Sequence, residues 1–233
     1  MHKTNIHPDA VEFIKKKRRG KLHIHDQLDA ARTALVVVDM QTAFLKPGLP
    51  SEVPMAREIV PNINRLAQAF RANGGAVVWV YNTYTEASCD EWLPFWPYAP
   101  DTVRAVAEQL MEGAEGHPLW PEMDVVQGDL KVAKNRFSAF LPGSSDIESQ
   151  LRDRGIDTLA ITGTLTNACC ESTARDAMMR NFHVLMVADG NATYTDAIHN
   201  ASLTSLSICF ADIMTTDEVI ALLNVAQPQA VAT

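Results

Sequence analysis

One cysteine in this chain occupies a position where a nucleophile could be activated. Residues 161–176 have the pattern of an apolar strand, a turn of small residues and a helix, and Cys169 falls where that helix should begin. The N–H groups and the positive macrodipole end at a helix N-terminus favour the thiolate, the reactive form of cysteine. We therefore predict that Cys169 reacts below the free-thiol pKa of about 8.5. Cys170 points about 100° away and is expected to pack against the sheet.

Two charged residues at other strand ends supply what a cysteine lacks by itself. A lone cysteine is more often a small buried hydrophobic residue, but Asp39 and Lys134 each end an apolar run. A carboxylate can take the thiol proton, and an ammonium beside both groups keeps the carboxylate ionised and stabilises the thiolate. The turn at 163–168 can direct backbone N–H groups at a developing oxyanion. Together these groups predict amide hydrolysis.

Six short apolar runs predict the strands that must position these residues. Most are apolar throughout instead of alternating, which is typical of parallel strands covered by helices on both faces. The runs are residues 33–39, 76–82, 130–134, 157–163, 183–189 and 211–215. Ligands of such sheets bind outside the carboxyl ends of the strands. Asp39, Lys134 and the turn before Cys169 are all expected at that edge.

Segments with helical spacing lie between the runs. Two of these patterns end at glycines, one at 73–75 and the other at Gly155, and glycine after the last periodic residue is a helix stop. Capping boxes at 145–148 and 215–218 mark two helix starts. The alternation predicts an α/β fold of three layers, with a mostly parallel sheet between two layers of helices.

Length and composition predict one large domain with a small-molecule partner. The chain has 233 residues, a formal charge of −8 and a pI near 5.3, which argues against a nucleic-acid surface. No apolar run is long enough for a membrane helix, and no secretory signal is visible. The four cysteines lack C-x-x-C spacing, so neither a disulfide framework nor a zinc site is expected and a reducing cytoplasm is predicted.

Two segments stand apart from the strand and helix pattern. Residues 1–32 are interpreted as a polar N-terminal arm with a solvated basic run at 15–21, followed by the main domain at 33–233. Region 87–120 is irregular and contains Trp92, Phe95, Trp96, Tyr98 and Trp120. A connection this long could be a lid, an oligomer contact or a loop packed on its own domain.

Three motifs in this order resemble those of the isochorismatase-like cysteine hydrolase superfamily. They are Leu-Val-Val-Val-Asp-Met-Gln at 35–41, Lys-Asn-Arg-Phe-Ser-Ala-Phe at 134–140 and Gly-Thr-Leu-Thr-Asn-Ala-Cys at 163–169. The likeness extends over residues 33–223. It implies a six-stranded parallel sheet flanked by helices, with Asp39 as general base and later acid, Lys134 as electrostatic support and Cys169 as nucleophile.

The resemblance also implies an oxyanion hole in the turn before the cysteine. It places this function at Leu165, Thr166 and Ala168, with a cis peptide bond between Leu165 and Thr166. Relatives commonly associate, so a homo-oligomer, either a dimer or a tetramer, is expected.

Comparison within the superfamily narrows the reaction. Isochorismatases proper lack the cysteine and cleave a vinyl ether, so Cys169 favours hydrolysis of a C–N bond in a small amide, carbamoyl or ureido substrate through a thioester. Nicotinamidase-like members carry metal-binding histidines after strands one and two, whereas residues 41–54 and 82–92 contain no histidine. We therefore expect no metal and no other cofactor. The motifs Lys-x-Arg-aromatic-Ser and Thr-Asn-x-Cys-x-Glu-Ser-Thr are most similar to those of ureidoacrylate and N-carbamoyl amidohydrolases.

Five residues near the motifs are candidate substrate contacts: Gln41, Asn82, Tyr84, Arg136 and Phe140. Asn82 matches an Asn that the ureidoacrylate enzymes use on substrate, whereas Tyr84 stands where they have Trp. Gln41 could orient substrate or bond the backbone.

Arg136 and Arg175 have two possible roles. Each could bind a substrate carboxylate with two hydrogen bonds, or form a salt bridge with Glu171 or Asp176. The sequence leaves both roles open.

Other classes of protein stay possible at this level. The turn at 163–168 could bind the phosphate of a nucleotide or flavin at a helix N-terminus, although the usual glycine-rich patterns are missing. Cys169 and Cys170 could instead serve a non-catalytic redox sensor. A vinyl-ether hydrolase of the isochorismatase type is the third alternative.

Overall fold

A six-stranded sheet forms the centre of the computed structural model, which describes residues 1–92 and 100–225. The strands are β1 (Thr33–Val38), β2 (Ala76–Asn82), β3 (Leu130–Lys134), β4 (Thr158–Thr164), β5 (His183–Ala192) and β6 (Asp212–Met214). Their order is β3-β2-β1-β4-β5-β6, and every neighbouring pair is parallel. All six predicted runs are confirmed as strands.

Helices cover both faces of the sheet. They are α1 (Pro8–Lys17), α2 (Thr42–Leu45), α3 (Ala56–Ala72), α4 (Glu86–Asp90), α5 (Pro100–Gln109), α6 (Ile147–Arg152), α7 (Glu171–Met179), α8 (Asp196–Cys209) and α9 (Thr216–Val225). Successive side chains of a strand point to opposite faces, so Leu35 of β1 packs in a core with α3 and α9, and Val36 packs in one with α6, α7 and α8. The central strands β1 and β4 are buried at every position, which explains their apolar sequences. The predicted three-layer fold is confirmed.

At the helix ends, some local sequence signals are confirmed and others are overridden by tertiary contacts. α3 and α6 end before the glycines predicted to stop them. At α9 the capping box forms, because the Thr215 N–H donates to the Glu218 carboxylate at 2.7 Å and the Glu218 N–H donates to Thr215 Oγ1 at 3.3 Å. The capping box predicted at 145–148 is wrong. Glu148 instead pairs with Arg180 at 2.7 Å, and the Ser145 hydroxyl donates to a carbonyl oxygen at 2.7 Å.

The strand order creates a crevice at the carboxyl edge of the sheet, between β1 and β4. From β1 the chain moves outward through β2 to β3, and it then returns to β4 and continues to β6 in the opposite direction. Open α/β sheets bind ligands at such a switch point. Asp39 directly follows β1 and the turn with Cys169 directly follows β4, while Lys134 ends β3.

The N-terminal arm packs on the main domain through α1, which lies against α8. In the basic run, Lys15 and Lys16 are exposed as predicted. Arg18 differs, because its guanidinium donates to the buried Asp212 carboxylate at 2.8 Å. The domain boundary at residue 33 stays a prediction. Within 1–92 and 100–225, no helix is both long and apolar enough to cross a membrane.

The aromatic-rich region contains α4 and α5, and its residues 93–99 lie outside the described part of the chain. Three of the aromatic residues singled out in the sequence therefore cannot be placed: Phe95, Trp96 and Tyr98. At the other end of the region, the backbone N–H of Trp120 donates to the Met40 carbonyl oxygen at 2.8 Å. Leu119 forms an isolated bridge with Gln41. This end of the region packs on its own domain beside the end of β1.

Candidate active site

Asp39 has an uncommon backbone conformation at the end of β1. Its φ is +52°, in the left-handed region that residues other than glycine seldom adopt. The Asp39 N–H donates to the Val80 carbonyl oxygen of β2 at 2.8 Å. Its carbonyl oxygen accepts from Thr164 Oγ1 of β4 at 2.9 Å. Both neighbouring strands therefore hold this conformation in place.

A buried hydrogen-bond network joins Asp39 to β2 and β3. Lys134 Nζ lies 2.9 Å from Asp39 Oδ2 and donates to Asn82 Oδ1 at 2.8 Å. Asn82 Nδ2 donates to the same Asp39 oxygen at 2.9 Å. The other oxygen, Asp39 Oδ1, is buried and has no hydrogen-bond partner among the described residues. This oxygen is therefore available to accept a proton.

Two predicted substrate contacts have other hydrogen-bond partners. The Asn82 amide bridges Asp39 and Lys134, so this side chain orients the charged pair. Gln41 Nε2 donates to the carbonyl oxygens of Asn82 at 3.0 Å and His117 at 2.7 Å, and Gln41 Oε1 accepts from the Asn82 N–H at 2.8 Å. Of its two predicted roles, Gln41 therefore has the second: it bonds the backbone and ties the end of β1 to β2, and its assignment as a substrate contact is corrected.

The chain between β4 and α7 makes one π-helical turn, Thr166–Cys170. The cis peptide bond lies between Thr164 and Leu165, so the predicted position at Leu165–Thr166 is wrong by one bond. β4 runs to Thr164, one residue beyond its predicted end, and the Thr164 hydroxyl donates to the Asp39 carbonyl oxygen at 2.9 Å. Cys169 follows within the turn and is 5% exposed.

The predicted oxyanion residues differ in their contacts. The Ala168 N–H already donates to the Leu165 carbonyl oxygen at 3.1 Å, so Ala168 is not a free oxyanion donor and that expectation is corrected. The Leu165 side chain packs against the core beside α3. Thr166 Oγ1 lies 2.9 Å from His199 Nδ1, a contact that the sequence gave no reason to expect. From the motif alone, only the position of this turn next to Cys169 could be predicted.

The electrostatics of the thiol are the reverse of the sequence prediction. Burial raises the pKa of Cys169 to about 12, and the Asp39 carboxylate adds to this while Lys134 opposes it. Burial likewise raises the pKa of Asp39, against the influence of Lys134. Burial alone would lower the pKa of Lys134, but the negative charges of its neighbours raise it overall. The resting site therefore contains a thiol and a charged ammonium.

Cys170 packs as predicted. It is fully buried, and its Sγ lies 3.8 Å from the Thr162 carbonyl oxygen of β4. Burial raises its pKa well above the ordinary thiol value. Cys170 is therefore a core residue beside the candidate nucleophile.

Aromatic side chains gather where β2 and β3 end. The Trp92 ring lies 4.8 Å from the Phe137 ring and 6.4 Å from the Tyr84 ring, measured between centroids. The Arg136 guanidinium lies over the same Trp92 ring at 5.2 Å. Phe137 was not among the predicted contacts, although it is the aromatic residue of the Lys-x-Arg-aromatic-Ser motif.

The two candidate arginines differ in their salt-bridge partners. Arg136 lies 3.9 Å from Glu91, so the predicted partners Glu171 and Asp176 are wrong for this residue. Arg175 does pair with Glu171, at 2.9 Å.

Phe140 belongs to the core. It is 3% exposed, and the centroid of its ring lies 5.2 Å from that of Phe182. Phe182 directly precedes β5, at the amino edge of the sheet, opposite the carboxyl edge where the site lies. We therefore correct its assignment as a substrate contact.

Within residues 1–92 and 100–225, no three His, Cys, Asp or Glu side chains are grouped so that they could hold a metal ion. The acidic group of the site, Asp39, is instead paired with Lys134.

Comparison with known proteins identifies the class. Residues 33–218 match the isochorismatase domain, which confirms the resemblance seen in the three motifs. The chain belongs to the isochorismatase family, and it is a cysteine hydrolase of that family.

Individual relatives are similar over most of their length. The chain is 33% identical over 208 residues to ureidoacrylate amidohydrolase RutB of Variovorax paradoxus, which covers 83% of this chain and 82% of that protein. A cysteine hydrolase from Pseudomonas syringae pv. phaseolicola superposes with a TM-score of 0.80 at 28% identity, over 89% of this chain and 99% of that one. N-carbamoylsarcosine amidase from Thermoplasma acidophilum gives 0.64 at 27% identity, over 80% and 97%.

Proposed function

We propose that this protein hydrolyses a C–N bond of a small amide, carbamoyl or ureido substrate through a thioester on Cys169, without a metal. The observation that carries the proposal is the position of the Cys169 thiol beside the buried Asp39–Lys134 pair. Acyl transfer needs a nucleophile, a proton acceptor and stabilisation of charge. The names of the ureidoacrylate amidohydrolase and N-carbamoylsarcosine amidase relatives support the same class of bond.

Because the resting sulfur is a thiol, the first step combines proton transfer with attack. Asp39 takes the Cys169 proton as the sulfur bonds to the carbonyl carbon and the carbonyl electron pair moves onto oxygen. Backbone N–H groups of the turn that do not already bond the Leu165 carbonyl oxygen stabilise this oxyanion, while Lys134 keeps the Asp39 carboxylate oriented. The C–N bond then breaks, and Asp39 returns the proton to the leaving nitrogen. Ammonia or an amine departs, and a thioester is left on Cys169.

The second half of the reaction restores the enzyme with the same base. Asp39 takes a proton from water as the water oxygen attacks the thioester carbonyl carbon. The C–S bond breaks, the acid product leaves, and the sulfur regains the proton from Asp39. One residue thus serves first as base and then as acid in each half of the reaction.

The side chains around the pair favour a planar substrate with a negative charge. Tyr84, Trp92 and Phe137 offer flat apolar surface, and Arg136 supplies a cation held over the Trp92 ring. A guanidinium can bind a carboxylate through two parallel hydrogen bonds. We therefore propose ureido or carbamoyl acids as the first substrates to test.

A screen for ammonia release tests the proposal. It compares ureido acids, N-carbamoyl amino acids, maleamate-like amides and nicotinamide, each with the wild type and with Cys169→Ala. We expect turnover of at least one C–N substrate by the wild type alone, with an acyl adduct on Cys169 after rapid quench in mass spectrometry. Full activity of Cys169→Ala would refute the mechanism, and turnover of isochorismate alone would refute the amidase assignment.

A further inference from the structure

The first residues of the N-terminal arm follow one face of α8. Backbone N–H groups of residues 3, 5 and 7 donate to the side chains of Asp196, Asn200 and Thr204 at 3.4, 2.7 and 3.2 Å. These three acceptors are spaced four residues apart, so they share one face of the helix. The path brings His2 to the N-terminal end of α8.

His2 is buried at the end of this path, with 7% of its surface exposed. Its Nδ1 lies 2.7 Å from Asp196 Oδ1, and its Nε2 accepts from the Thr193 N–H at 3.0 Å. The ring stacks on the buried His199 ring, with 4.5 Å between centroids and 20° between planes. An imidazole that is hydrogen-bonded at both nitrogens and stacked on a second ring has a fixed orientation.

The two neighbours of His2, His199 and Thr193, each contact one residue of the π-helical turn Thr166–Cys170. His199 Nδ1 lies 2.9 Å from Thr166 Oγ1. Thr193 Oγ1 donates to Asn167 Oδ1 at 2.6 Å. Thr166 and Asn167 are consecutive, and they lie between the cis peptide bond and Cys169. Two paths, each through a single residue, therefore connect the arm to this turn.

We propose that His2 and His199 are positioning residues that set the geometry of the oxyanion hole from outside the site. This inference rests on the proposed function, in which N–H groups of this turn stabilise the tetrahedral oxyanion. His199 fixes the Thr166 hydroxyl, and Thr193, held by His2, fixes the Asn167 amide. Because the turn is short, these side-chain contacts also determine where its backbone N–H groups point. A displacement of about 1 Å in such a site can lower the rate by about a hundredfold.

Two reagents separate oxyanion geometry from the reactivity of the sulfur. p-Nitrophenyl acetate acylates a cysteine through a tetrahedral oxyanion, whereas iodoacetamide alkylates it by displacement without one. Mass spectrometry on the full chain gives both rates at Cys169 for the wild type, His2→Ala, His199→Leu and His199→Gln. The matched control is His7→Gln, since His7 is an exposed histidine of the same arm.

We expect acylation to fall by about tenfold or more in His2→Ala and His199→Leu, while alkylation stays close to the wild-type rate. The amide of His199→Gln can still reach Thr166, so this variant should recover part of the loss. His7→Gln should behave as the wild type for both reagents. An equal fall in both rates would overturn the proposal, because it would reflect general damage to the fold.

Amide hydrogen exchange of a peptide spanning 164–170 provides a readout that needs no reaction at Cys169. We expect faster exchange in His2→Ala and unchanged exchange in His7→Gln. If exchange at the turn is the same in His2→Ala as in the wild type, the positioning role is refuted whatever the rates are. If p-nitrophenyl acetate does not acylate Cys169 of the wild type, the result contradicts the proposed function and not the role of His2. The exchange measurement would still decide the role of His2.

Discussion

At the scale of single residues, Asp39 acts on Cys169 in two opposing ways. Its carboxylate accepts the thiol proton in the proposed reaction, yet after burial it is the largest cause that raises the pKa of Cys169 to about 12. Acidity and catalytic competence of the thiol should therefore change in opposite directions when this carboxylate is lost.

The variant Asp39→Asn tests this opposition. We expect C–N hydrolysis to fall by roughly 10² to 10⁴, since general acid–base catalysis is lost. The pKa of Cys169, read from the pH dependence of its alkylation, should fall in the same variant. Asp146→Asn, which changes an exposed carboxylate, serves as control. A wild-type alkylation rate that levels off below about pH 8.5 would contradict the high thiol pKa.

His199 links the same region to the pH dependence of stability. Burial, together with the nearby His2, lowers the pKa of His199 from 6.5 to about 4, against the opposing influence of Asp196. Between these values the unfolded chain binds the proton and the fold excludes it, so stability is lost as pH falls from 6.5 toward 4. The loss from this group amounts to about 3 kcal/mol at most.

Urea unfolding at a series of pH values measures this effect. The free energy of unfolding of the wild type should decline more steeply below neutral pH than that of His199→Gln, which cannot be protonated. His25 also has a pKa lowered by burial, so His25→Gln shows how much of the slope comes from another histidine. Identical slopes in the wild type and His199→Gln would contradict the prediction.

Arg136 is the residue that we expect to select substrates bearing a carboxylate. Its guanidinium lies over Trp92 and only 3.9 Å from the exposed Glu91, so a substrate carboxylate can replace that partner. Arg136→Ala should raise KM for carboxylate-bearing substrates by about tenfold or more, with little change for neutral amides. Steady-state kinetics on one anionic and one neutral substrate test this, with exposed Arg154→Ala as control. An equal rise in KM for both substrates would refute carboxylate binding.

At the scale of elements, Gly163 allows β4 to approach β1 closely at the switch point. Its φ is +116°, and a Cβ at this position would overlap the Val38 carbonyl oxygen. Gly163→Ala should therefore lower the free energy of unfolding by more than about 3 kcal/mol, from backbone strain and the clash together. Gly128 has a similar φ of +106° with open space around its Cβ position, so Gly128→Ala should cost only about 1 kcal/mol. Equal losses in urea denaturation would show that the close approach is unimportant.

The elements themselves were largely predictable because their signals are local. A strand such as β1 that is buried on both faces has a continuous apolar sequence, and the glycines after α3 and α6 mark where those helices stop. The cap at Glu218 forms because its carboxylate accepts from the Thr215 N–H, whereas Arg180 pairs with the carboxylate of Glu148. Tertiary partners of this kind cannot be read from neighbouring residues.

At the scale of the whole molecule, the candidate site was predictable to the extent that topology gathers strand ends. A parallel sheet brings Asp39, Lys134 and Cys169 to one edge, and the motif order agreed with that. The pKa of Cys169 differs from the predicted low value because burial and the neighbouring Asp39 carboxylate both raise it. The contact of His2 with His199 joins residues 197 positions apart in sequence and leaves no pattern in either segment. Only the folded chain shows such pairs.

Association of whole chains is the remaining expectation from the family resemblance. We predict a dimer or a tetramer of the 25.6 kDa chain. The arm is not the element that we expect to join subunits, since residues 3, 5 and 7 already bond α8 of their own chain. Light scattering coupled to size exclusion should therefore give the same multiple of the chain mass for the wild type and for His2→Ala. A monomeric wild type would contradict the predicted association. A changed mass in His2→Ala would show that the arm holds subunits together, in addition to positioning the turn.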